Sequence, residues 1–547
     1  MSQIKNITVV GGGFAGWYAA TSLLLNLPDV NVTLVETSAV PRMGVGESLG
    51  FDAPYNFKRL MGLDDDRVIM RSTGSIYKYG LHYIDIYKDQ QKFYFGKFAN
   101  PKVSALQKFY SKFDYPDYYE SWSRKEDDTG ILNVWLWTHQ QKNKSINDLI
   151  TECNDNMPFA EMPYAPYDDN NRYVMREEEG YAYHLDAERS VFFLKNQVFK
   201  RWGGTPRFSH IESTIAKVNL HDSSSVGSIE LSNGSVLTGD LFLDCSGLHR
   251  VLMSSIENNS WQDRSDQACN TACVFPSFYS DPEKEMIGST IYNGEPHGWR
   301  FTVNLYHRRG NGYLFRNNDV DEQTIIDRMH EIGGKNMIVE PRFLRWKPGF
   351  YNTPWQGNVC ALGLSAGFID PFDATTISIQ SRDLENLIDS IKQPDNDSVA
   401  KYNHLKNLSF SEVDMRLKLL FGFSKRSGPY WDLKREVARK ENLEEMLKDI
   451  ILDRYSDINK RLTWFWAQMY VRTVVTGEID ISKWAIPKPQ DKDIAMAESF
   501  FNYNRARMNY RQQQTWPNYY QWLRKNRFDG LSSDDLWNEM HGDIRRR

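Results

Sequence analysis

Apolar runs that end in glycine recur three times along the chain, and they set the reading of the whole. The run Ile7-Thr8-Val9-Val10 ends at Gly11-Gly12-Gly13-Phe14-Ala15-Gly16 and continues into a helix-like stretch from Trp17 to Leu25. Apolar positions then resume at Val32-Thr33-Leu34-Val35 and end at Glu36, twenty residues past Gly16. This order predicts strand, tight turn, helix, strand and acid, which is how a parallel sheet presents a dinucleotide-binding turn. Gly11 allows the turn, Gly13 the approach of a pyrophosphate to the backbone, and Gly16 close packing of helix on strand. Glu36 is placed to accept the hydroxyls of an adenosine ribose and to repel a 2′-phosphate. The other two runs are 240–247, which ends in Asp244-Cys245-Ser246-Gly247, and 358–376, which passes through Gly363 and Gly367. An apolar strand ending in a small-residue turn is how such a sheet returns its backbone to a cofactor.

Between these runs the period changes. Residues 75–84 alternate, as do Phe93-Tyr94-Phe95, predicting strands of a sheet that roofs a pocket. Tyr181-Ala182-Tyr183-His184-Leu185-Asp186 predicts a strand leading into a helix, and Asn233-Gly234 a turn between strands. Residues 100–180 carry many Tyr, Asp and Asn and little periodicity, as expected of a loop-heavy insertion that serves as a substrate lid. From about 400 onward the pattern is mostly helical, with Leu443, Met446, Leu447, Ile450 and Ile451 as one stripe and Trp464-Phe465-Trp466 nearby.

The expected fold class is therefore α/β, with a doubly wound cofactor lobe from about 1–50, 180–255 and 340–400. Substrate-lobe insertions fall at about 51–179 and 256–339, and a mainly helical region at 401–547. A length of 547 residues allows two or three lobes, and there is no internal repeat or low-complexity segment. Aromatic residues make up 14%, which suits a cradle for planar ligands and equally an aromatic core. A net charge of −5 argues for neither nucleic acid nor an anionic membrane, and no apolar run is long enough to span a bilayer. The five cysteines (Cys153, Cys245, Cys269, Cys273, Cys360) are scattered, which predicts reduced thiols and a cytoplasmic location. His82, His184 and His297 have no metal-ligand spacing, so no metal is expected.

Several further segments define a family. Val45-Gly46-Glu47-Ser48 reads as a loop packed on the cofactor, and with the glycine motif, Lys78-Tyr79-Gly80, 181–186, Asp244 to Gly247, Gly298 to Val303 and Gly363 to Thr375 it resembles the flavin-dependent halogenases over residues 1 to about 435. Their fold is similar to that of the flavin aromatic hydroxylases. The resemblance implies FAD, reduced by a separate reductase, that reacts with oxygen to a hydroperoxide, and a chloride, bromide or iodide ion that attacks it to give hypohalous acid. The oxidant then passes inside the protein to a small electron-rich aromatic substrate. It implies that Lys78 directs the oxidant, that Asp373 assists it or the proton loss of the arene, and that Thr375 and Thr376 hold the halide. FAD would be held by Gly11, Gly13, Phe14, Ala15, Gly16, Glu36, Gly46, Glu47, Ser48, Asp244, Gly247, Gly363, Phe368 and Asp370.

Taken without the family, Lys78 reads as a snorkelling side chain or, between Tyr77 and Tyr79, as a donor to an electrophile; Asp373 reads as a turn or cap. The chain departs from the family where the signature WxWxIP becomes Trp299-Arg300-Phe301-Thr302-Val303-Asn304, and where an acid-serine pair becomes Asp373-Ala374. An aromatic monooxygenase on the same scaffold is the alternative function, and a non-catalytic flavin-fold binding protein a third. Trp516-Pro517-Asn518-Tyr519-Tyr520-Gln521-Trp522 is expected either at the substrate entrance or at an exposed contact of a homo-oligomer, and Arg545-Arg546-Arg547 as a solvated tail.

Overall fold

The structure is a computed structural model. It describes residues 4–40, 44–50, 53–63, 65–87, 92–95, 181–256, 260–451, 481–486 and 515–541, with isolated positions between. Nearly all of 100–180, together with Arg42, Met43, Cys153, Trp464 to Trp466 and the C-terminal arginines, lies outside the described residues.

The first apolar run forms the strand Asn6–Val10, which pairs in parallel with Asn31–Glu36 on one side and Leu241–Asp244 on the other. The six-stranded sheet reads Trp355–Gln356, Val359–Ala361, Leu241–Asp244, Asn6–Val10, Asn31–Glu36, Phe208–Glu212, and is parallel except for its first pair. All three glycine-terminated runs thus lie side by side and end at the same edge. Helix Phe14–Asn26 covers this sheet, with Trp17, Tyr18, Leu23 and Leu24 buried beneath it. Its 13 residues begin at Phe14, after the N-cap Gly13 and without a side-chain cap, so its first N–H groups are left for another acceptor.

A second, seven-stranded sheet runs Arg342–Arg345, Thr271–Ser277, Arg309–Phe315, Gly298–Asn304, Ser289–Glu295, Gly80–Ile84, Lys92–Phe95. Arg342–Arg345, drawn from a stretch assigned by sequence to the cofactor lobe, pairs here instead. A third, three-stranded sheet holds Glu47–Ser48 and Ile76–Lys78 on either side of Ala182–Leu185. It joins the cofactor loop to the Lys78 strand.

The C-terminal aromatic segment corrects an expectation. On helix Tyr519–Asn526 the rings of Tyr519, Tyr520 and Trp522 are core rather than an exposed contact, buried against Tyr77, Tyr79 and Tyr306, whereas Gln521 is exposed. The Tyr519 hydroxyl donates to the Tyr77 carbonyl at 2.7 Å. A run this rich in large rings supplies core, and here it backs the strand that carries Lys78.

Candidate active site

The glycine turn is built for close approach. A side chain at Gly16 would place its Cβ 1.8 Å from the Gly11 carbonyl oxygen, and one at Gly11, where φ is 121°, would lie 2.3 Å from the Cys245 carbonyl. Gly13 is different: nothing lies within 4 Å of a Cβ built there. Two glycines serve the packing of the turn on its neighbours, and the third leaves open space over an uncapped helix start. That space, the positive helix end and the acid at the tip of the second strand fit the pyrophosphate and ribose of FAD.

Glu36 sits over Gly12 and is 6% exposed. Its carboxylate accepts from Lys195 Nζ at 2.7 Å, His210 Nε2 at 2.8 Å and Trp17 Nε1 at 3.2 Å. Burial works against its ionisation, but these hydrogen bonds outweigh it and hold the carboxyl below its ordinary range. Sequence reasoning found the acid and missed its partners Lys195 and His210, which lie on other elements.

Asp244, expected from the sequence to hold FAD, is engaged by its own loop. Its Oδ1 accepts from Ser246 N and Oγ at 3.0 and 2.6 Å, and its Oδ2 from Leu252 N and Met253 N, both at 2.9 Å. A carboxylate engaged four times by its own loop braces that loop, and Gly247, at φ 67° with open space around it, is left as the point of backbone approach. Gly363 draws the third run in, its Cβ position 3.0 Å from the Ala15 methyl, while the Ala15 carbonyl accepts from Gln380 Nε2 at 3.1 Å. Phe14 stacks on Phe57 at 6.2 Å.

Beyond this turn lies a small, partly open recess lined by Gly363, Phe368, Asp370, Thr375, Thr376 and Lys406, among others. Helix Thr375–Lys392 starts at this recess without a side-chain cap. The two residues before it, Asp373 and Ala374, both have left-handed backbone, with φ of 62° and 60°. For non-glycine residues such geometry costs on the order of 1–3 kcal/mol each, and it clusters where function imposes it. The Asp373 carboxylate, 4% exposed, accepts from the Tyr83 hydroxyl at 2.6 Å and lies 3.8 Å from Arg416 Nη1. Asp370 is buried beneath the turn; it accepts from Phe372 N at 3.0 Å and Trp299 Nε1 at 3.4 Å. Burial raises its carboxyl to about 6, against the opposing charge of Lys434. Where the family signature loses its second tryptophan, Phe301 fills the place, packing 6.2 Å from Trp299, whose ring meets Phe372 edge-on at 4.8 Å.

Lys78 is 1% exposed, and its ammonium donates to the Leu49 carbonyl at 2.9 Å. It does not lie between its tyrosine neighbours. Strand alternation turns Tyr77 and Tyr79 to the other face, where Tyr77 donates to Asp66 at 3.0 Å and packs on Tyr181, Tyr183 and Trp522. The next residue after Leu49 ties back to the recess, since Gly50 N donates to Ser378 Oγ at 3.0 Å. Residues 47–50 therefore connect Lys78 to the helix that begins at Thr375. On the same loop Ser48 shares a hydrogen bond with Thr290 at 2.8 Å, and Thr290 with His184 Nε2 at 2.9 Å. Burial and the nearby Lys78 charge hold His184 well below its ordinary pKa, so it is a neutral ring.

Glu47 accepts from Val45 N and Ala187 N beside Asp186, which Arg308 engages at 2.8 Å. Burial and the Asp186 charge push its carboxyl from 4.5 up to about 7. Because the folded protein keeps this proton longer than the unfolded chain does, stability falls as pH rises from 4.5 to 7 and levels off above. Glu47→Gln is expected to remove that slope, a gain on the order of 2 kcal/mol at pH 8 over wild type. Urea unfolding at pH 5 and pH 8 measures it; an unchanged slope refutes the assignment.

Among the described residues no His, Cys, Asp or Glu group has the grouping of a metal site, and no helix is long and apolar enough to cross a membrane.

The profile of the tryptophan halogenase family matches residues 6–483. The tryptophan 7-halogenase RebH of Lentzea aerocolonigenes is 23% identical over 458 residues, 81% of each chain. The tryptophan halogenase structure from Shewanella frigidimarina superposes with a TM-score of 0.78 at 20% identity, covering 97% of this chain and 99% of that one. Xcc4156, a flavin-dependent halogenase from Xanthomonas campestris, gives 0.73 at 21%, covering 96% and 98%. With its Rossmann-like FAD turn, the chain belongs to the tryptophan halogenase family of flavin-dependent enzymes.

Proposed function

We propose that the protein halogenates an electron-rich aromatic substrate, using FAD reduced by a separate reductase, oxygen and a halide ion. The observation that carries this reading is the burial of Lys78, whose ammonium is anchored on Leu49 in a segment bonded to the recess helix. An ammonium kept out of water is maintained at a cost, and a chemical task is the economical reason for it.

Reduced FAD supplies two electrons to oxygen and so the oxidising equivalent that turns halide into hypohalous acid. The chain's own part is to hold, aim and exclude water. The N–H groups at Thr375 and Thr376 open a helix and hold the anion. Lys78, donating from a fixed stem to the oxidant's oxygen, aims its halogen at the arene, and the oxygen leaves as water when the carbon–halogen bond forms. Asp373, positioned by Tyr83 and Arg416, takes up the proton that the ring carbon loses.

Asp373→Asn tests that last step. The amide keeps the shape and the Tyr83 contact but accepts a proton poorly, so kcat is expected to fall about 10²-fold with little change in the KM for halide. A pre-steady-state assay that finds arene turnover unaltered removes Asp373 from the mechanism. The function itself is tested by supplying FAD, a flavin reductase, NADH, oxygen and each halide in turn to a panel of indoles, phenols and pyrroles, with products identified by mass spectrometry. Halogenated products support the proposal; hydroxylated products formed without halide assign a monooxygenase instead, which the altered Trp299 to Asn304 segment would then explain.

A further inference from the structure

The three-stranded sheet that carries Lys78 has two chemically different faces. Its register sets Lys78 opposite Ala182, and both Ile76 and Ser48 opposite His184, so Lys78, Ile76, His184 and Ser48 share one face. Tyr77 and Tyr183 take the other. On the Lys78 face His184 is fully buried and is joined through Thr290 to Ser48, by hydrogen bonds of 2.9 and 2.8 Å. Thr290 is itself 1% exposed and belongs to strand Ser289–Glu295 of the seven-stranded sheet. The chain of three side chains therefore ties the two sheets together at the residue before Leu49. It is the Leu49 carbonyl that accepts from Lys78. Leu49 N donates to the carbonyl of Tyr183, the neighbour of His184, at 2.9 Å, and the N–H of the same planar peptide, Gly50 N, donates to Ser378.

A hydrocarbon ring would fill the place of His184 without needing a partner, whereas a buried imidazole needs a hydrogen bond, so its polarity calls for a task. Burial and the Lys78 charge keep the ring neutral, against the Asn304 backbone that favours its proton. A neutral ring leaves the ammonium in place, where a protonated one would repel it. Directional hydrogen bonds also fix one loop geometry where apolar contacts tolerate several.

We infer that His184 is a positioning residue for Lys78: acting through Thr290 and Ser48, it fixes residues 48–50 so that the Leu49 carbonyl holds the ammonium in one direction. This role rests on the reading of Lys78 as the group that aims the oxidant.

The test supplies the FAD-loaded protein with a reductase, NADH, oxygen, bromide and the arene of the panel that gives most product, together with a scavenger that traps free hypobromous acid. His184→Leu and Thr290→Val are each expected to lower the ratio of brominated arene to trapped oxidant about tenfold, because a misaimed lysine loses oxidant to solvent. His184→Gln, whose amide reaches toward Thr290, is expected to recover most of the ratio. A merely loosened fold lowers both yields together and leaves the ratio where it was. Thr290→Val keeps the shape of its side chain, so it carries the comparison if His184→Leu does not fold. With Lys78→Met already in place, His184→Leu is expected to change the ratio no further. An unchanged ratio in both single variants, or a further fall in the Lys78→Met background, overturns the role.

A second readout needs no turnover. The NMR signal of the Lys78 ε-carbon in lysine-labelled protein, assigned by its loss in Lys78→Met, is expected to shift in His184→Leu and Thr290→Val and to return in His184→Gln. If wild type yields neither halogenated product nor trapped oxidant, the halogenase reading fails, and this signal alone decides what His184 does: unmoved in both variants, it overturns the role.

Discussion

Lys78→Ala is expected to lower halogenated product by at least about 10³-fold while the protein still binds FAD and consumes oxygen. The size follows from the loss of a fixed, desolvated donor, since removing even one preorganised donor from a water-poor site slows reaction by about 10²–10³ and this donor also carries full charge. The cofactor turn is built from other segments, so flavin binding is spared. Because Lys78 acts after hypohalous acid has formed, the reducing equivalents then leave as free hypohalous acid, which makes its yield, trapped by a scavenger, the second readout. Removing the ammonium also strips the Leu49 carbonyl of its partner, at about 1–3 kcal/mol of stability. Lys78→Met, which keeps the stem, separates this loss from the chemistry. Arginine is not a conservative replacement in a site closed around one ammonium. Product formation within tenfold of wild type in the folded alanine variant would remove Lys78 from the mechanism.

The second large effect separates two glycines of one motif. Gly16→Ala forces a methyl to within 1.8 Å of the Gly11 carbonyl, a backbone atom with no freedom to yield, and is expected to lower stability by about 3 kcal/mol or more and to abolish FAD retention. Gly13→Ala meets nothing within 4 Å and its φ of −77° suits any residue, so the cofactor-free protein should melt as wild type does. Its methyl nonetheless enters the space left for the pyrophosphate, and FAD binding is expected to weaken about 10- to 100-fold. Thermal melting without FAD and fluorescence titration with FAD distinguish the two. A Gly13→Ala protein that binds FAD normally would move the pyrophosphate away from this helix start.

What the sequence made legible was local. A glycine where two backbones meet, an apolar run that becomes a buried strand and an acid at its tip each leave their signal within a few residues, and Asn6–Val10, Asn31–Glu36 and Leu241–Asp244 lie side by side as that signal implies. The partners of the site were not legible. Tyr83 reaches Asp373 across 290 positions, Lys195 reaches Glu36 across 159, and Lys406 meets Asp383 through the packing of two helices, so no periodicity records any of them. Asp244 shows the same divide: its position beside a cofactor turn is local information, while its four hydrogen bonds are set by a loop that only the fold closes. The aromatic segment at 516–522 carried a composition signal without a direction, and burial against the Tyr77 strand supplied it.

That segment has a consequence for how the enzyme is made. The Tyr519 hydroxyl that holds the Tyr77 carbonyl belongs to a residue synthesised 442 positions later. At ribosomal speeds of about 5–20 residues per second, the Lys78 strand waits tens of seconds for its backing. Through that interval the nascent chain can assemble its nucleotide sheet, whose strands all lie before residue 362. On the Lys78 strand, the face opposite the lysine is covered only when the last helices arrive, so the nucleotide sheet can exist before the strand that carries the lysine is rigid.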